Sequence, residues 1–148
     1  MDACPAGWPR PRVDGRPVPW VTPVLHGQPW WKFLHLERLR RCQEEWLCQV
    51  CGLTLPTRAQ VIADAQGHLV TDGALHRRCL RLALTVCPGL ANAEEELLVA
   101  TVGRRDLLVD GQELSDEALS APQAWDLTAS ALAVAIPVGD FHAWSGSA

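Results

Sequence analysis

Four residues whose side chains bind metal ions occur as two pairs near the middle of the chain. Cys48 and Cys51 form a C-x2-C pair, and His76 and Cys79 form a second pair with the same spacing, 24 residues further on. Thiolate sulfur and imidazole nitrogen are the ligands of tetrahedral Zn²⁺ sites, and four of them leave no position for a water molecule. The pattern therefore predicts one structural zinc ion per chain, bound by these four residues.

The residues next to each pair suit this interpretation. Gly52 follows the first pair, and a glycine there lets the chain turn tightly and leaves backbone N–H groups free to face the sulfurs. The second pair falls at the beginning of a helix predicted over residues 75–86, with Thr71 or Asp72 as its N-cap. Residues three apart on a helix lie about 5–6 Å from each other, so both ligands of the second pair can reach one ion.

Two other interpretations of the cysteines remain open. A C-x-x-C sequence can be a redox pair, but such a motif follows a strand and precedes a helix, whereas this one follows a charged helical stretch. Cysteines can also simply pack in a core, although this does not explain two pairs of equal spacing. Cys87 lies eight residues after Cys79, about 12 Å further along a helix, so we expect it to pack rather than bind the ion.

The chain has the size of a single domain. It contains 148 residues, of which 48% are hydrophobic, enough to form a core. Its composition divides it into a Pro/Trp-rich extended arm (1–31), a helix plus zinc-finger module (32–90) and an acidic α/β part (91–148) packed on the same domain.

The N-terminal residues lack the apolar core of a signal peptide. The longest uncharged apolar-rich run, residues 127–138, is too short to span a bilayer. Six cysteines without a secretory signal favour metal binding over a disulfide framework. We therefore expect a soluble cytoplasmic protein that does not contact a membrane.

The arm is rich in proline. Residues 1–29 contain 7 of the 11 prolines, which excludes a helix there because proline lacks the backbone N–H. Trp20, Trp30 and Trp31 indicate that the arm packs on the body. A tail that docks a partner is the alternative.

The middle of the chain has the element order of a treble-clef zinc finger. A helix is predicted over residues 32–47, with Leu36, Leu39, Cys42 and Trp46 on one face and mixed charges on the other. The Cys48 knuckle follows, and then residues 59–63 and 68–70 form a predicted hairpin before the helix that carries the last two ligands. We therefore expect an α+β fold built on a small treble-clef-like finger.

Further strands are predicted in the acidic part. Residues 97–102 and 106–109 are expected to form a β-hairpin with Arg104 and Arg105 at its tip. Residues 115–119 indicate a helical turn, and residues 125–138 fit either a helix or a strand. The aromatic residues of 141–144 are candidates for docking.

Several of these pieces resemble a family of uncharacterised small zinc-finger-like proteins of actinobacteria and their phages. The matching pieces are Pro17-Val-Pro-Trp20, Cys48-Gln-Val-Cys51-Gly52, His76-x2-Cys79 and Cys87-Pro88-x-Leu90. One Lys against twelve Arg fits the high-GC genomes of these organisms. The resemblance covers residues 17–90 and implies metal binding without an assigned activity.

Charge is divided unequally along the chain. Residues 1–82 hold 11 basic and 7 acidic side chains, whereas residues 83–148 hold 2 and 10. The basic part can meet an acidic partner or the chain's own acidic part.

No P-loop, dinucleotide fingerprint, G-x-S-x-G or HExxH motif occurs, so no catalytic residue is predicted. One enzyme hypothesis is an HNH-type nuclease relative, in which His68 on the hairpin would activate water beside a second metal. That site also needs a ligand from the helix, where His76 is already assigned to zinc.

The predicted function is therefore a zinc-stabilised protein-interaction or regulatory module. A nucleic-acid-binding zinc finger is the alternative, which the net charge of −4 disfavours. The sequence leaves the oligomeric state open.

Overall fold

The computed structural model describes residues 12–13, 15–86, 94–119 and 122–141, in which short strands and helices are mixed. The strands are β1 (Arg12–Val13), β2 (Arg16–Pro17), β3 (Val24–Leu25), β4 (Gln28–Pro29), β5 (Ala59–Asp64), β6 (Leu97–Val102), β7 (Leu107–Val109), β8 (Gln112–Glu113), β9 (Asp126–Leu127) and β10 (Ile136–Pro137). The helices with defined bounds are α1 (Leu36–Glu45), α2 (Arg77–Val86) and α3 (Ala129–Ala133). No helix in these ranges is long and apolar enough to cross a membrane.

The longest strand pairing joins the middle of the chain to its acidic part. β5 and β6 are antiparallel over six residue pairs, and β10 pairs with the other edge of β6. A second sheet has the order β8-β7-β9. Residues 59–64 and 97–102 therefore share one sheet, so the finger and the acidic part are joined through backbone hydrogen bonds.

Both faces of β5 are covered. Ala59, Val61 and Ala63 point into the larger core, which also contains Cys48, Cys51 and Cys79. Ile62 points to the opposite side, into a smaller core with residues of α2 and β6 and with Phe141. This explains why β5 is apolar at successive positions, as strands buried on both faces are.

Helix α1 is shorter than the predicted 32–47. It begins after His35, whose Nδ1 accepts a hydrogen bond from the backbone N–H of Arg38 (3.3 Å). It ends at Trp46, which adopts the left-handed conformation (φ 56°) and donates its backbone N–H to Cys42. The charges on the other face of α1 pair with one another: Arg40 pairs with Glu37 and Glu44, and Arg41 pairs with Glu45.

The predicted hairpin of residues 97–102 and 106–109 is wrong. Both strands exist as β6 and β7, but they lie in different sheets. A 3-10 turn, Arg104–Asp106, separates them, and the Asp106 carboxylate accepts a hydrogen bond from the N–H of Gly103 (2.9 Å). This local cap redirects the chain away from β6.

Arg104 is not at an exposed tip, which also corrects the prediction. Its guanidinium donates to Asp116 (2.7 Å) and to the backbone carbonyl of Gln43 (3.1 Å). It also lies 5.9 Å from the ring centre of Trp46. Arg104 therefore ties the acidic part to the end of α1.

The predicted hairpin of residues 59–63 and 68–70 is present only in part. The turn after Asp64 forms, with the Asp64 N–H donating to the carbonyl of His68 (2.9 Å). The returning strand is reduced to isolated bridges, Ala63 with Leu69 and His68 with Asp126. β5 takes β6 as its long partner instead.

The remaining predictions for the acidic part have mixed outcomes. The helical turn is confirmed as a 3-10 turn, Asp116–Ala118. Residues 125–138 are neither one helix nor one strand, because they contain β9, α3 and β10 in succession. Phe141 is buried, whereas the other residues of the aromatic tail and Cys87 lie outside the described ranges.

Part of the arm packs on the body, as predicted. Val18 and Val21 are buried, and Trp20 packs against the small core of α1, which contains Leu39 and Cys42. Trp30 remains exposed. The tryptophans of the arm therefore do not share one role.

Candidate metal centre

The four predicted ligands converge. The Sγ atoms of Cys48, Cys51 and Cys79 and a ring nitrogen of His76 all lie within 4.8 Å of one another. In a tetrahedral zinc site with Zn–S bonds near 2.3 Å, ligand atoms lie about 3.8 Å apart. The three cysteines are buried and His76 is half-buried. The cluster can therefore hold a metal ion, and zinc is consistent with its ligand types.

The first pair lies at the tip of a tight hairpin that begins at Trp46. The N–H of Leu55 donates to the carbonyl of Trp46 (3.0 Å), and the N–H of Cys48 donates to the carbonyl of Leu53 (2.8 Å). At the tip, Gly52 donates to the carbonyl of Cys48 (2.8 Å) and has φ +75°. L-residues with a Cβ rarely adopt this left-handed conformation, so the predicted role of Gly52 in the turn is confirmed.

The arm lies directly on this hairpin, which we call the knuckle (residues 46–55). The backbone N–H of Trp20 donates to the carbonyl of Val50 (2.8 Å), and that of Val21 donates to the carbonyl of Gln49 (3.2 Å). A Cβ on Gly52 would lie only 2.9 Å from atoms of the Trp20 ring. Gly52 is therefore needed both for the turn and for the close approach of the indole.

The second pair is placed by a long-range contact. Leu75 exchanges two backbone hydrogen bonds with Gln60 of β5, each 2.8 Å long. This contact fixes His76 immediately before α2, where its carbonyl accepts the N–H of Leu80 (2.9 Å). Cys79 follows in the first turn of α2, so the two ligands face the same point.

The predicted N-cap, Thr71 or Asp72, is wrong. The Thr71 hydroxyl donates to the carbonyl of Gly73 (2.9 Å) and accepts a hydrogen bond from the N–H of Ile62 (3.4 Å). Asp72 has φ 53° in the same turn. These residues therefore close a turn on β5, and α2 begins five residues later at Arg77.

The ring of His76 is oriented by its second nitrogen. Nε2 lies 3.0 Å from the backbone carbonyl of Thr54, to which it can donate a proton. Nδ1 then faces the sulfurs, 3.3 Å from Cys51 Sγ and 4.0 Å from Cys79 Sγ. Metal-binding histidines commonly donate their other N–H to an oxygen in this way. The knuckle thus supplies two of the three candidate sulfur ligands and the acceptor that fixes the imidazole.

The cluster favours negative charge on the sulfur of Cys51. Hydrogen bonds from Cys48 and Cys79, and then from His76, hold the pKa of Cys51 well below its ordinary value. Hydrogen bonds to the sulfurs of Cys48 and Cys51 raise the pKa of His76 to about 10. The same two sulfurs raise the pKa of Cys79. Because zinc binds thiolates and a neutral imidazole, a bound zinc ion would displace the protons of these groups.

The redox interpretation has less support in the structure. Cys42, Cys48, Cys51 and Cys79 all carry free thiols. A redox C-x-x-C motif lies between a strand and a helix, whereas here α1 precedes the motif and β5 follows it.

His68 does not join the metal cluster. It lies on the exposed turn after β5, where its Nδ1 is 2.8 Å from the Asp126 carboxylate. In the part of the chain that the structure describes, the cysteine and His76 cluster is the only group arranged to hold a metal. The described residues therefore show no second cluster of three or more ligand side chains for the catalytic metal of the nuclease hypothesis.

Two contributors to the site were not predicted as such. Thr54 acts through its backbone carbonyl, for which the sequence carries no signal. Trp20 belongs to the Pro17-Val-Pro-Trp20 piece, but its contact with Gly52 depends on the tertiary fold.

No protein family, curated protein or solved structure was found to match the chain.

Proposed function

We propose that the chain is a protein-interaction or regulatory module stabilised by one structural zinc ion, bound by Cys48, Cys51, His76 and Cys79. The observation that carries this proposal is the closed donor set, in which four ligand atoms lie within 4.8 Å of one another. Four protein ligands complete a tetrahedral shell, so the ion would hold the knuckle to α2 without activating water.

The order of elements supports a treble-clef-like arrangement. The knuckle comes first, β5 and its turn follow, and α2 carries Cys79. We further propose that the chain belongs with the actinobacterial and phage zinc-finger-like proteins that it resembles.

An exposed apolar segment supports binding to another protein. Eight large hydrophobic residues are exposed among the described residues, and five of them lie within residues 25–36: Leu25, Trp30, Phe33, Leu34 and Leu36. Phe33 and Leu36 are the most exposed of these, at 56% and 65%. Clustered exposed apolar side chains are typical of interaction sites.

The charges around this segment indicate the partner's chemistry. Residues 17–36 contain Lys32 but no Asp or Glu. A partner segment that combines apolar side chains with carboxylates would complement this surface.

Nucleic acid is the less favoured partner. Arg40 and Arg41 already pair with glutamates on α1, and Arg104 is directed inward. Their guanidinium groups are therefore engaged rather than presented to phosphate.

Measurement of the metal content tests the zinc site. We expect about one zinc per freshly purified chain, and loss of zinc from Cys48→Ser, Cys51→Ser and Cys79→Ser. Cys42→Ala is the matched control, because burial raises the pKa of the Cys42 thiol and keeps it protonated. Well under one zinc per chain in the wild type, or equal loss from Cys42→Ala, would contradict the proposal.

Copurification from the native host tests the interaction surface. Leu36→Glu places a carboxylate in the segment and should reduce capture of any specific partner, whereas Val70→Glu alters an exposed residue elsewhere. Equal capture by both variants would exclude this surface.

A further inference from the structure

A cavity of about 490 Å³ opens on the face of the β10-β6-β5 sheet that carries the smaller core. Its lining contains polar residues, Arg58, Gln60, Thr101 and Asp140, and apolar residues, Val99, Val134, Ile136 and Phe141. Small-molecule sites have volumes of about 300–1,000 Å³ and combine apolar walls with a few polar groups. This cavity has the size and composition of such a site.

Gln60 is the unusual residue of the lining. It lies on β5, and only 7% of it is exposed. Its Oε1 accepts a hydrogen bond from the Thr101 hydroxyl (3.2 Å), which directs Nε2 elsewhere. Gln60 lines the cavity, so the N–H groups of its amide are available to a ligand there.

Arg58 adds a positive charge at the same end. Its Nη2 donates to the backbone carbonyl of Thr101 (2.7 Å), and its Nη1 lies 3.7 Å from the Asp106 carboxylate. The side chain is 59% exposed, so the guanidinium sits at the mouth of the cavity, with donors to spare. Gln60 and Arg58 together offer N–H groups to an acceptor.

The other end of the cavity is apolar. Val99 and Ile136 are cross-strand partners on β6 and β10, and Phe141 is buried beside them. Asp140 is the acidic residue of the lining. A ligand with a second carboxylate would be repelled there.

We propose that this cavity binds a small monocarboxylate with an apolar body. The carboxylate accepts hydrogen bonds from Gln60 Nε2 and from the Arg58 guanidinium. The apolar body lies against Val99, Ile136 and Phe141. This site is separate from the metal centre and does not depend on the interaction surface of residues 25–36.

Titration of the full-length, zinc-loaded protein with octanoate tests the proposal, with binding followed by calorimetry and by backbone amide NMR shifts. We expect saturable binding, with shifts concentrated in β5, β6 and β10. Octylamine should bind at least tenfold more weakly, because the cavity offers donors to an anion. Suberate, a dicarboxylate of the same length, should also bind more weakly because of Asp140.

Two substitutions test the donors. Gln60→Leu keeps the size of the side chain and removes the amide, and Arg58→Gln removes the charge of a side chain that is 59% exposed. Each should weaken octanoate binding about tenfold or more, as expected for the loss of one hydrogen bond to a charged group. Arg105→Gln, at an exposed arginine outside the cavity lining, is the control and should bind normally.

Absence of saturable binding to the folded wild type would overturn the proposal. So would equal affinity for octylamine, shifts confined to residues 25–36, or unchanged affinity in Arg58→Gln and a folded Gln60→Leu protein.

Discussion

His76 shows how one residue connects the two halves of the metal centre. Its Nδ1 faces the sulfurs, while its Nε2 contacts the carbonyl of Thr54 on the knuckle. The ring therefore links α2 to the knuckle even before an ion is considered. A bound ion would add the thiolates of both segments to the same link.

Substitution of Gly52 should destabilise the protein for two separate reasons. Gly52→Ala places a Cβ in the left-handed conformation, at about 1–2 kcal/mol, and presses it on the Trp20 ring, at about 1–3 kcal/mol. Gly27→Ala is the matched control, because Gly27 has φ +74° and nothing within 4 Å of its added Cβ. Denaturant unfolding in excess zinc should show the larger loss for Gly52→Ala. Equal losses would mean that Trp20 does not pack tightly on the knuckle.

Acid should release the metal. Zinc binds thiolates and a neutral imidazole, so protons compete with the ion, and the stability that binding contributes falls as pH drops. Loss of the finger's structure, followed by circular dichroism, should therefore begin in mildly acidic solution. The midpoint should move to lower pH as zinc is added. A midpoint that is indifferent to zinc concentration would contradict coupling between the metal and the fold.

The ligands were predictable from sequence because coordination chemistry constrains both residue type and spacing. The N-cap role predicted for Thr71 or Asp72 was wrong. The preference of Thr and Asp for the N-cap position depends only on neighbouring residues in the sequence. The start of α2 is instead set by the pairing of Leu75 with Gln60, fifteen residues away in the chain. The role of Thr54 could not be predicted, because any residue supplies a backbone carbonyl.

At the scale of elements, strands were easier to predict than their partners. The apolar runs that became β5 and β6 were identified, but each was assigned to a local hairpin. Local capping by Asp106 and the pairing of β5 with β6 override those hairpins. The pattern of apolar and polar residues within one strand does not indicate which distant strand it pairs with.

The turn after β5 is tied to β9 by a pH-sensitive contact. The hydrogen bond to Asp126, together with the charges of Asp126 and Asp64, raises the pKa of His68 above its ordinary value. Because the folded pKa is the higher one, this contact stabilises the fold fully below the unfolded pKa near 6.5. The stabilisation is lost as pH rises through the folded pKa.

Asp126→Asn should therefore lower the pKa of His68, as measured by NMR titration of its ring proton. Asp110→Asn is the control, because it removes an exposed carboxylate that does not contact His68. A His68 pKa that is the same in all three proteins would show that the pair does not form in solution.

At the scale of the whole molecule, the charge distribution opposes binding to polyanions. Residues 36–82 hold seven basic and five acidic side chains, and residues 83–148 carry a net charge of −8. Several of the arginines are engaged in ion pairs.

We expect no measurable binding of the full-length protein to duplex DNA at about 0.15 M salt, where the Debye length is about 8 Å. A fluorescence-anisotropy titration checks this. Submicromolar affinity with a steep salt dependence, reduced by Arg77→Ala and Arg78→Ala, would instead favour a nucleic-acid-binding finger.

The division into arm, finger and acidic part describes the composition better than the packing. Trp20 of the arm lies on the knuckle, and β6 of the acidic part completes the sheet of β5. The composition of a segment indicates how that segment is solvated, whereas these contacts join residues that are distant in sequence. Their existence could not be deduced from the charge or proline content.

The pairing of β5 with β6 also sets an order of events during synthesis. All four candidate ligands lie within residues 48–79, whereas β6 spans Leu97–Val102. Because chains emerge from the ribosome N-terminus first, the ligands are available before the strand that completes the sheet. Until β6 follows, the edge of β5 that it will cover has no strand partner and can pair with other chains. Early metal binding between the knuckle and α2 would reduce the number of conformations that the chain samples before β6 pairs with β5.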